Sequence, residues 1–368
     1  MDDTHDAFPI LGIDHVEFWV GNALQASHYY RNAFGFHQIA FSGLETGVRD
    51  RTSRLMAQGE IRFVFTGSLE PDTDIAEHVR RHGDGVRDIA LRVPDAEEAY
   101  RVALERGALG VSEPRVSEDE HGKVVRAAIG TYGETVHSLI QREDYNGVFL
   151  PAFRATEDDP NHRTVGLVSV DHVVGNVELG KMNHWASYYA DVMGFKNMIH
   201  FKDDQISTEY TALMSKVMWD GVGRVKFPIN EPAEGKRKSQ IDEYLEFYRG
   251  PGVQHLALRT DDILKTVGTL RERGVEFLRV PDSYYDEVAT KFDDLRDEVD
   301  IEALHRLAIL ADRDDEGYLL QIFTKPVTDR PTVFFEIIQR HGSRGFGLGN
   351  FKALFQAIER EQEARGTL

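Results

Sequence analysis

The chain repeats itself, and the repeat limits what it can fold into. Leu11-Gly12-Ile13-Asp14-His15-Val16-Glu17 returns as Val168-Ser169-Val170-Asp171-His172-Val173-Val174. Ser27-His28-Tyr29-Tyr30, leading to Gly35-Phe36, returns as Ser187-Tyr188-Tyr189, leading to Gly194-Phe195. Gly85-Val86-Arg87-Asp88-Ile89-Ala90-Leu91-Arg92 matches Gly252-Val253-Gln254-His255-Leu256-Ala257-Leu258-Arg259, and the stretch from Thr135 to Gln141-Arg142 matches that from Thr332 to Gln339-Arg340. Four matches in one order make duplication the governing inference. Each half reads as a strand, a helix and further strands, followed by a second such unit, which predicts an α+β fold with mostly antiparallel sheet. The polar segment from Arg154 to Arg163, with Pro160, reads as a linker between domains 1–153 and 164–368.

The repeat also tests a metal hypothesis from within. At three matched positions the second half carries His172, His255 and Glu336, where the first carries His15, Asp88 and Ser138. Two histidines and a carboxylate form the facial triad that holds non-haem Fe(II) and leaves positions open. Glu336 sits in the apolar strand-like run Thr332-Val333-Phe334-Phe335-Glu336-Ile337-Ile338, where a carboxylate needs a partner. Serine is a poor ligand for a divalent transition metal, so the first site reads as degraded and His15 as a core or interface residue. Strand alternation places Val170, His172 and Val174 on one face, Val253, His255 and Ala257 on another, and Phe334, Glu336 and Ile338 on a third. The same alternation points Gln254 away from the cavity that His255 faces.

A formal net charge of −19 makes nucleic acid or an anionic membrane a poor partner. With no cysteine, disulfides and thiolate sites are excluded, and a metal must use imidazole and carboxylate. No N-terminal apolar segment and no long apolar stretch is present, so the expected location is the cytoplasm.

The triad strings, with Pro228-Ile229-Asn230-Glu231-Pro232, Lys238-Ser239-Gln240-Ile241, Pro281-Asp282-Ser283-Tyr284-Tyr285, Leu320-Gln321-Ile322-Phe323-Thr324 and Gly349-Asn350-Phe351-Lys352-Ala353-Leu354-Phe355, resemble the 4-hydroxyphenylpyruvate dioxygenases of the vicinal oxygen chelate superfamily. The resemblance spans essentially the whole chain and is densest from about residue 168. It implies two tandem paired-βαβββ (glyoxalase-like) domains, the first structural and mediating assembly, the second catalytic with a C-terminal gating helix. It implies one Fe(II) per chain on His172, His255 and Glu336, with O2 as co-substrate and an aromatic 2-oxo acid as substrate. Tyrosine catabolism would be the setting, and a homodimer or homotetramer the assembly.

Carried over position by position, the resemblance places Ser215, Asn230, Gln240, Gln254 and Gln321 in the polar lining of the substrate pocket. It places Phe323, Phe334 and Phe351 as apolar walls, with Phe346, Asn350 and Leu354 also at the substrate. The residues agree in part by themselves. Phe351, Leu354, Phe355 and Ile358 make a stripe at helical spacing. Asn350 suits an N-cap, and Gly345, Gly347 and Gly349 give hinge freedom. Leu348 departs from the family, which often carries Lys there. Rival readings are a 4-hydroxymandelate synthase, which the string around Asn230 and the pair Asn350-Phe351 disfavour, an extradiol ring-cleaving dioxygenase, and a non-catalytic binding protein of the same fold.

Overall fold

The computed structural model describes residues 8–157, 159–160, 162–201, 213–233, 235–295 and 298–368. The first half runs β1 (Gly12–Trp19), α1 (Ala23–Asn32), β2 (His37–Ser42), β3 (Arg51–Gln58), β4 (Ile61–Ser68), α2 (Asp74–His82), β5 (Gly85–Arg92), α3 (Ala96–Glu105), β6 (Gly110–Asp119), β7 (Gly122–Gly130), β8 (Val136–Gln141) and β9 (Arg154–Ala155). The second runs β10 (Leu167–Asn176), α4 (Met182–Met193), β11 (Lys196–Phe201), β12 (Leu213–Trp219), β13 (Lys226–Pro232), α5 (Gln240–Tyr248), β14 (Gly252–Thr260), α6 (Ile263–Glu272), α7 (Ser283–Lys291), α8 (Ile301–Leu307), β15 (Leu310–Asp314), β16 (Gly317–Phe323), β17 (Phe334–His341) and α9 (Phe351–Arg365). Strand order is β6-β7-β8-β5-β1-β4-β3-β2-β9 in one sheet and β15-β16-β17-β14-β10-β13-β12-β11 in the other. Apart from β9 the two orders are the same, so the duplication read in the sequence is a duplication of topology: two curled sheets of the paired βαβββ kind. Local chemistry repeats with it. Asp95 and Asp262 cap α3 and α6 alike, each accepting the backbone N–H three residues on at 2.9 and 3.0 Å.

Register shifts break simple alternation along these strands, and three of them bear on the site. The pairing of β10 with β14 jumps from Val170↔Leu258 to His172↔Ala257 and from Val174↔His255 to Gly175↔Val253, so Asp171 and Gln254 are bulge residues. The pairing of β1 with β5 jumps in the same way around Asp14. A bulge inserts one residue and re-aims its side chain. Gln254 therefore faces the cavity together with His255, contrary to the alternation expected from the sequence. Val170 moves off the cavity face for the same reason and lines an outer groove beside Asp171.

The halves pack through one continuous hydrophobic core. On β17, Phe334 and Glu336 face the cavity while Phe335 points the other way, into Phe34, Phe63 and Tyr30 of the first half, with ring centroids 5.1, 6.0 and 5.8 Å away. Gln58 stitches the seam. Its Oε1 accepts from the N–H of Val165, Gly166 and Leu167, and its Nε2 donates to the Phe34 carbonyl. The segment read as a linker is also engaged. Arg154–Ala155 pairs with β2 as an edge strand, and His162 Nε2 bonds the Gly35 carbonyl at 2.8 Å. Backbone pairing needs no apolar pattern, so a polar segment can join a sheet edge without any side-chain sign of it. Asp158 and Asn161 of that segment lie outside the described residues. Because Phe335 joins the two halves one residue from a ligand position, Phe335→Ala is expected to cost roughly 3–5 kcal/mol in denaturant unfolding. A loss under about 1 kcal/mol would mean the aromatic layer does not hold the halves together.

Candidate metal centre and active site

Three adjacent central strands, β10, β14 and β17, each supply one ligand. In register across them lie His172, Ala257 and Glu336, with Phe323 of β16 next in the same row. Ala257 is the small residue that lets the longer side chains on either side meet above it. The next row is Val174, His255 and Phe334. His172 Nε2 stands 3.1 Å and His255 Nε2 3.5 Å from the same oxygen, Glu336 Oε2. All three residues are buried.

The remaining ring nitrogens are already committed. His172 Nδ1 bonds Asp171 at 2.8 Å, and His255 Nδ1 bonds Gln254 Oε1 at 3.0 Å. A carboxylate and an amide oxygen only accept, so each Nδ1 carries hydrogen, and each ring in its neutral form is left with Nε2 as its lone pair. The bulges cause this, because they turn the residue before each histidine onto its ring. Asp171 is itself gripped by both arms of Arg340 at 2.8 Å and by Lys226 at 3.1 Å. Burial works to raise the Asp171 carboxyl, but Arg340 and His172 hold it well below the usual range. At Glu336 burial likewise opposes ionisation, yet the two histidines bring it to about 2. Burial pushes His255 down and toward the neutral ring a ligand must be. It pushes His172 the same way, but Glu336 and Asp171 outweigh it and raise the group. A buried carboxylate facing two nitrogen lone pairs calls for a cation, and this donor set suits a divalent first-row metal.

Above the triad is a cavity lined mainly by aromatic and aliphatic side chains with a few polar groups among them, the make-up usual for small-molecule sites. Phe334 stacks on His255 at 4.8 Å and Phe346 meets His172 edge-on at 5.0 Å. Phe323 stands edge-on to His255 at 5.9 Å. Ser215 of β12 and Asn230 of β13 are register partners on the cavity wall, joined there by Gln240, the first residue of α5. Phe351, Leu354, Phe355 and Ile358 of α9 roof the space. The stripe read from the sequence is this roof.

Two expected pocket residues stand outside the lining. Gln321 is buried against Gly347, where a Cβ would come within 2.6 Å of its amide, and neither amide atom has a hydrogen-bond partner among the described residues. Asn350 precedes α9 without capping it; its Oδ1 accepts the Tyr284 hydroxyl at 2.6 Å, drawing the amide away from the cavity. Of the three hinge glycines, Gly347 alone has a positive φ, +75°. Asp171, Arg340 and Lys226 were assigned no role from the sequence. The signal was there: Asp14-His15 with Arg142 and Asp171-His172 with Arg340 repeat the same unit, and Arg142 grips Asp14 at 2.6 and 2.8 Å.

The first half fills its matching position differently. Asp88 and Ser138 are bonded to each other, and Arg126 reaches both, each at 3.1 Å. By register Arg126 stands where the second half has Gln321, since Ala128 faces Ser138 as Phe323 faces Glu336. Phe149 meets His15 edge-on at 5.0 Å, the counterpart of Phe346 on His172. His15 is thus a buried structural residue, as its sequence context suggested.

Residues 5–150 match a model described as hydroxyphenylpyruvate dioxygenase, N-terminal, and residues 169–322 match the glyoxalase/bleomycin resistance protein/dioxygenase superfamily. A protein of Dictyostelium discoideum named 4-hydroxyphenylpyruvate dioxygenase is 50% identical over 97% of this chain and 100% of its own length. One of Yarrowia lipolytica with that name is 48% identical, over 97% and 93%. One of Xenopus tropicalis is 46% identical, over 100% and 95%. Among solved structures, a substituted 4-hydroxymandelate synthase from Streptomyces coelicolor superposes with a TM-score of 0.87 at 33% identity, covering 96% of this chain and 99% of that one.

Asp171→Asn is expected to weaken metal affinity at the triad roughly 10- to 100-fold by releasing the His172 ring. Glu336→Ala should abolish binding there, while Ser138→Ala leaves it unchanged. Titration of the metal-free protein decides this, and unaltered affinity in Asp171→Asn would remove Asp171 from the support of the centre.

Proposed function

The chain belongs to the 4-hydroxyphenylpyruvate dioxygenase family, and on that premise we propose that it is an Fe(II)-dependent dioxygenase converting 4-hydroxyphenylpyruvate and O2 to homogentisate and CO2. The observation that carries the reading is the convergence of His172, His255 and Glu336 on one point at the floor of an aromatic-walled cavity with polar groups on its wall. Fe(II), when bound, supplies the redox chemistry and a template on which the 2-oxo acid and O2 meet. One oxygen atom enters the ring as a hydroxyl, the other enters the carboxylate formed as CO2 leaves, and the side chain migrates to the neighbouring ring carbon.

The protein's part is to place and shield. Asp171 and Gln254 fix the two imidazoles so that their Nε2 atoms face inward. Phe334 and Phe323 wall the aromatic ring. Ser215, Asn230 and Gln240 receive the phenol hydroxyl, whose burial unpaired would cost on the order of 1–3 kcal/mol. The α9 residues Phe351, Leu354 and Phe355 close the cavity and exclude water, a role suited to a docked terminal element. The half spanning residues 1–153 serves as buttress and carries the contacts of a homodimer or homotetramer, while residues 164–368 do the chemistry. Among the described residues no helix is long and apolar enough to cross a membrane, in keeping with a small-molecule enzyme of the cytoplasm.

A 4-hydroxymandelate synthase of similar fold is the second reading, on the strength of the structural likeness. The bulky Phe351 over the cavity and the higher identity to the dioxygenases favour the first. Incubation with Fe(II), ascorbate, O2 and 4-hydroxyphenylpyruvate, followed by chromatography, should give homogentisate. 4-Hydroxymandelate in its place would overturn the assignment of the aromatic wall.

A further inference from the structure

A second group of metal-type ligands closes together outside the cavity lining. His78 and His82 stand four residues apart on α2, so both rings leave one face of the helix. Glu134, ahead of β8, reaches between them, with Oε2 3.3 Å from His78 Nδ1 and 3.2 Å from His82 Nε2. Both rings are buried, at 1% and 2% exposure. His82 lies flat on Tyr248 of α5, and its Nδ1 is hydrogen-bonded to the Tyr248 carbonyl. Trp19 packs against His78 at right angles, and the His78 Nε2 has no hydrogen-bond partner among the described residues.

The Tyr248 carbonyl decides the chemistry. It can only accept, so His82 Nδ1 carries hydrogen and Nε2 of the neutral ring is a bare lone pair. That lone pair faces a carboxylate oxygen at 3.2 Å, and two acceptors at this distance repel unless something positive stands between them. Three observations favour a metal over a proton. Both rings address a single carboxylate oxygen, as His172 and His255 do at Glu336. The 3.2 and 3.3 Å separations match the roughly 3.3 Å between ligands on a tetrahedral ion with bonds of about 2.0–2.1 Å. The far nitrogen of His82 is held by a backbone carbonyl, the usual support of a metal-bound imidazole. Arg81 grips the other oxygen, Oε1, at 3.1 Å, and Arg87 bonds the Glu134 carbonyl; both orient the carboxylate and leave Oε2 to the rings. Glu134 is about a third exposed, which opens a fourth position to water.

We propose that His78, His82 and Glu134 form a second divalent-metal site, of the two-imidazole, one-carboxylate kind that Zn(II) fills together with one water. All three ligands lie in the first half, so the ion would brace α2 against the turn before β8, and only the His82 Nδ1 bond to the Tyr248 carbonyl carries that brace across to α5.

The test uses the full chain stripped of metal and titrated with Co(II). Wild type should take up two equivalents. A variant carrying Glu336→Ala and His255→Ala, which lacks the first centre, should take up one, with the intense visible bands of four-coordinate Co(II). Adding Glu134→Gln to that variant should abolish both uptake and bands, and Zn(II) should raise its parent's melting temperature but not its own. Glu134→Gln changes one partly exposed oxygen, so it keeps the test valid even where His82→Gln fails to fold. One equivalent in wild type and none in the Glu336→Ala, His255→Ala variant would overturn the proposal and leave His82 and Glu134 as a proton-bonded pair.

Discussion

The structure of the second half is arranged around one buried negative charge. Glu336 lies in the middle of a central strand, among residues that would otherwise make an ordinary core. An isolated carboxylate there would cost several kcal/mol, so every neighbour is chosen to answer it. Two imidazoles face it, a single alanine gives them room, and the cations that balance Asp171 sit directly behind. The adjacent residue on the same strand, Phe335, anchors the halves. One strand thus carries the charge on one face and the interdomain core on the other, and neither can shift without the other.

How far this was legible in the sequence depended on whether the information was periodic. The duplication and the α+β class show in motifs that recur in one order, the triad stands at matched positions of that repeat, and the apolar stripe of α9 follows helical spacing, so all four are legible directly. Gln254 lines the cavity as the resemblance implies, whereas alternation alone points it away, because a bulge breaks the period of two and is a backbone event that no side-chain pattern encodes. The resemblance puts Gln321 and Asn350 at the substrate; Gln321 packs against Gly347, Asn350 accepts from the Tyr284 hydroxyl, and neither is among the residues that line the cavity. Such contacts join segments distant in sequence. His78 and His82 were missed although four-residue spacing on a helix is visible, because their third partner comes from 52 residues further along the chain, counting from His82 to Glu134.

The orienting unit is the same in both halves: an aspartate on a bulge, a histidine after it, an arginine holding the aspartate. What differs is the ligand set in front of it. This separates two jobs that are easily merged. The unit belongs to the sheet, whereas the ligands belong to the chemistry, and a half without ligands keeps the unit intact.

Arg126 carries the last lesson. In the first half a guanidinium on β7 occupies the space that a metal's charge answers in the second, with Asp88 as its counterpart. An ion must be captured from the surroundings, but an arginine is attached at synthesis. At this position the first half is therefore complete from the moment it is made. Its sheet offers a finished wall against which the second half can close before any ion reaches Glu336, so that scarcity of metal at the His172, His255 and Glu336 centre would limit how much of the protein is active more than how much of it is folded.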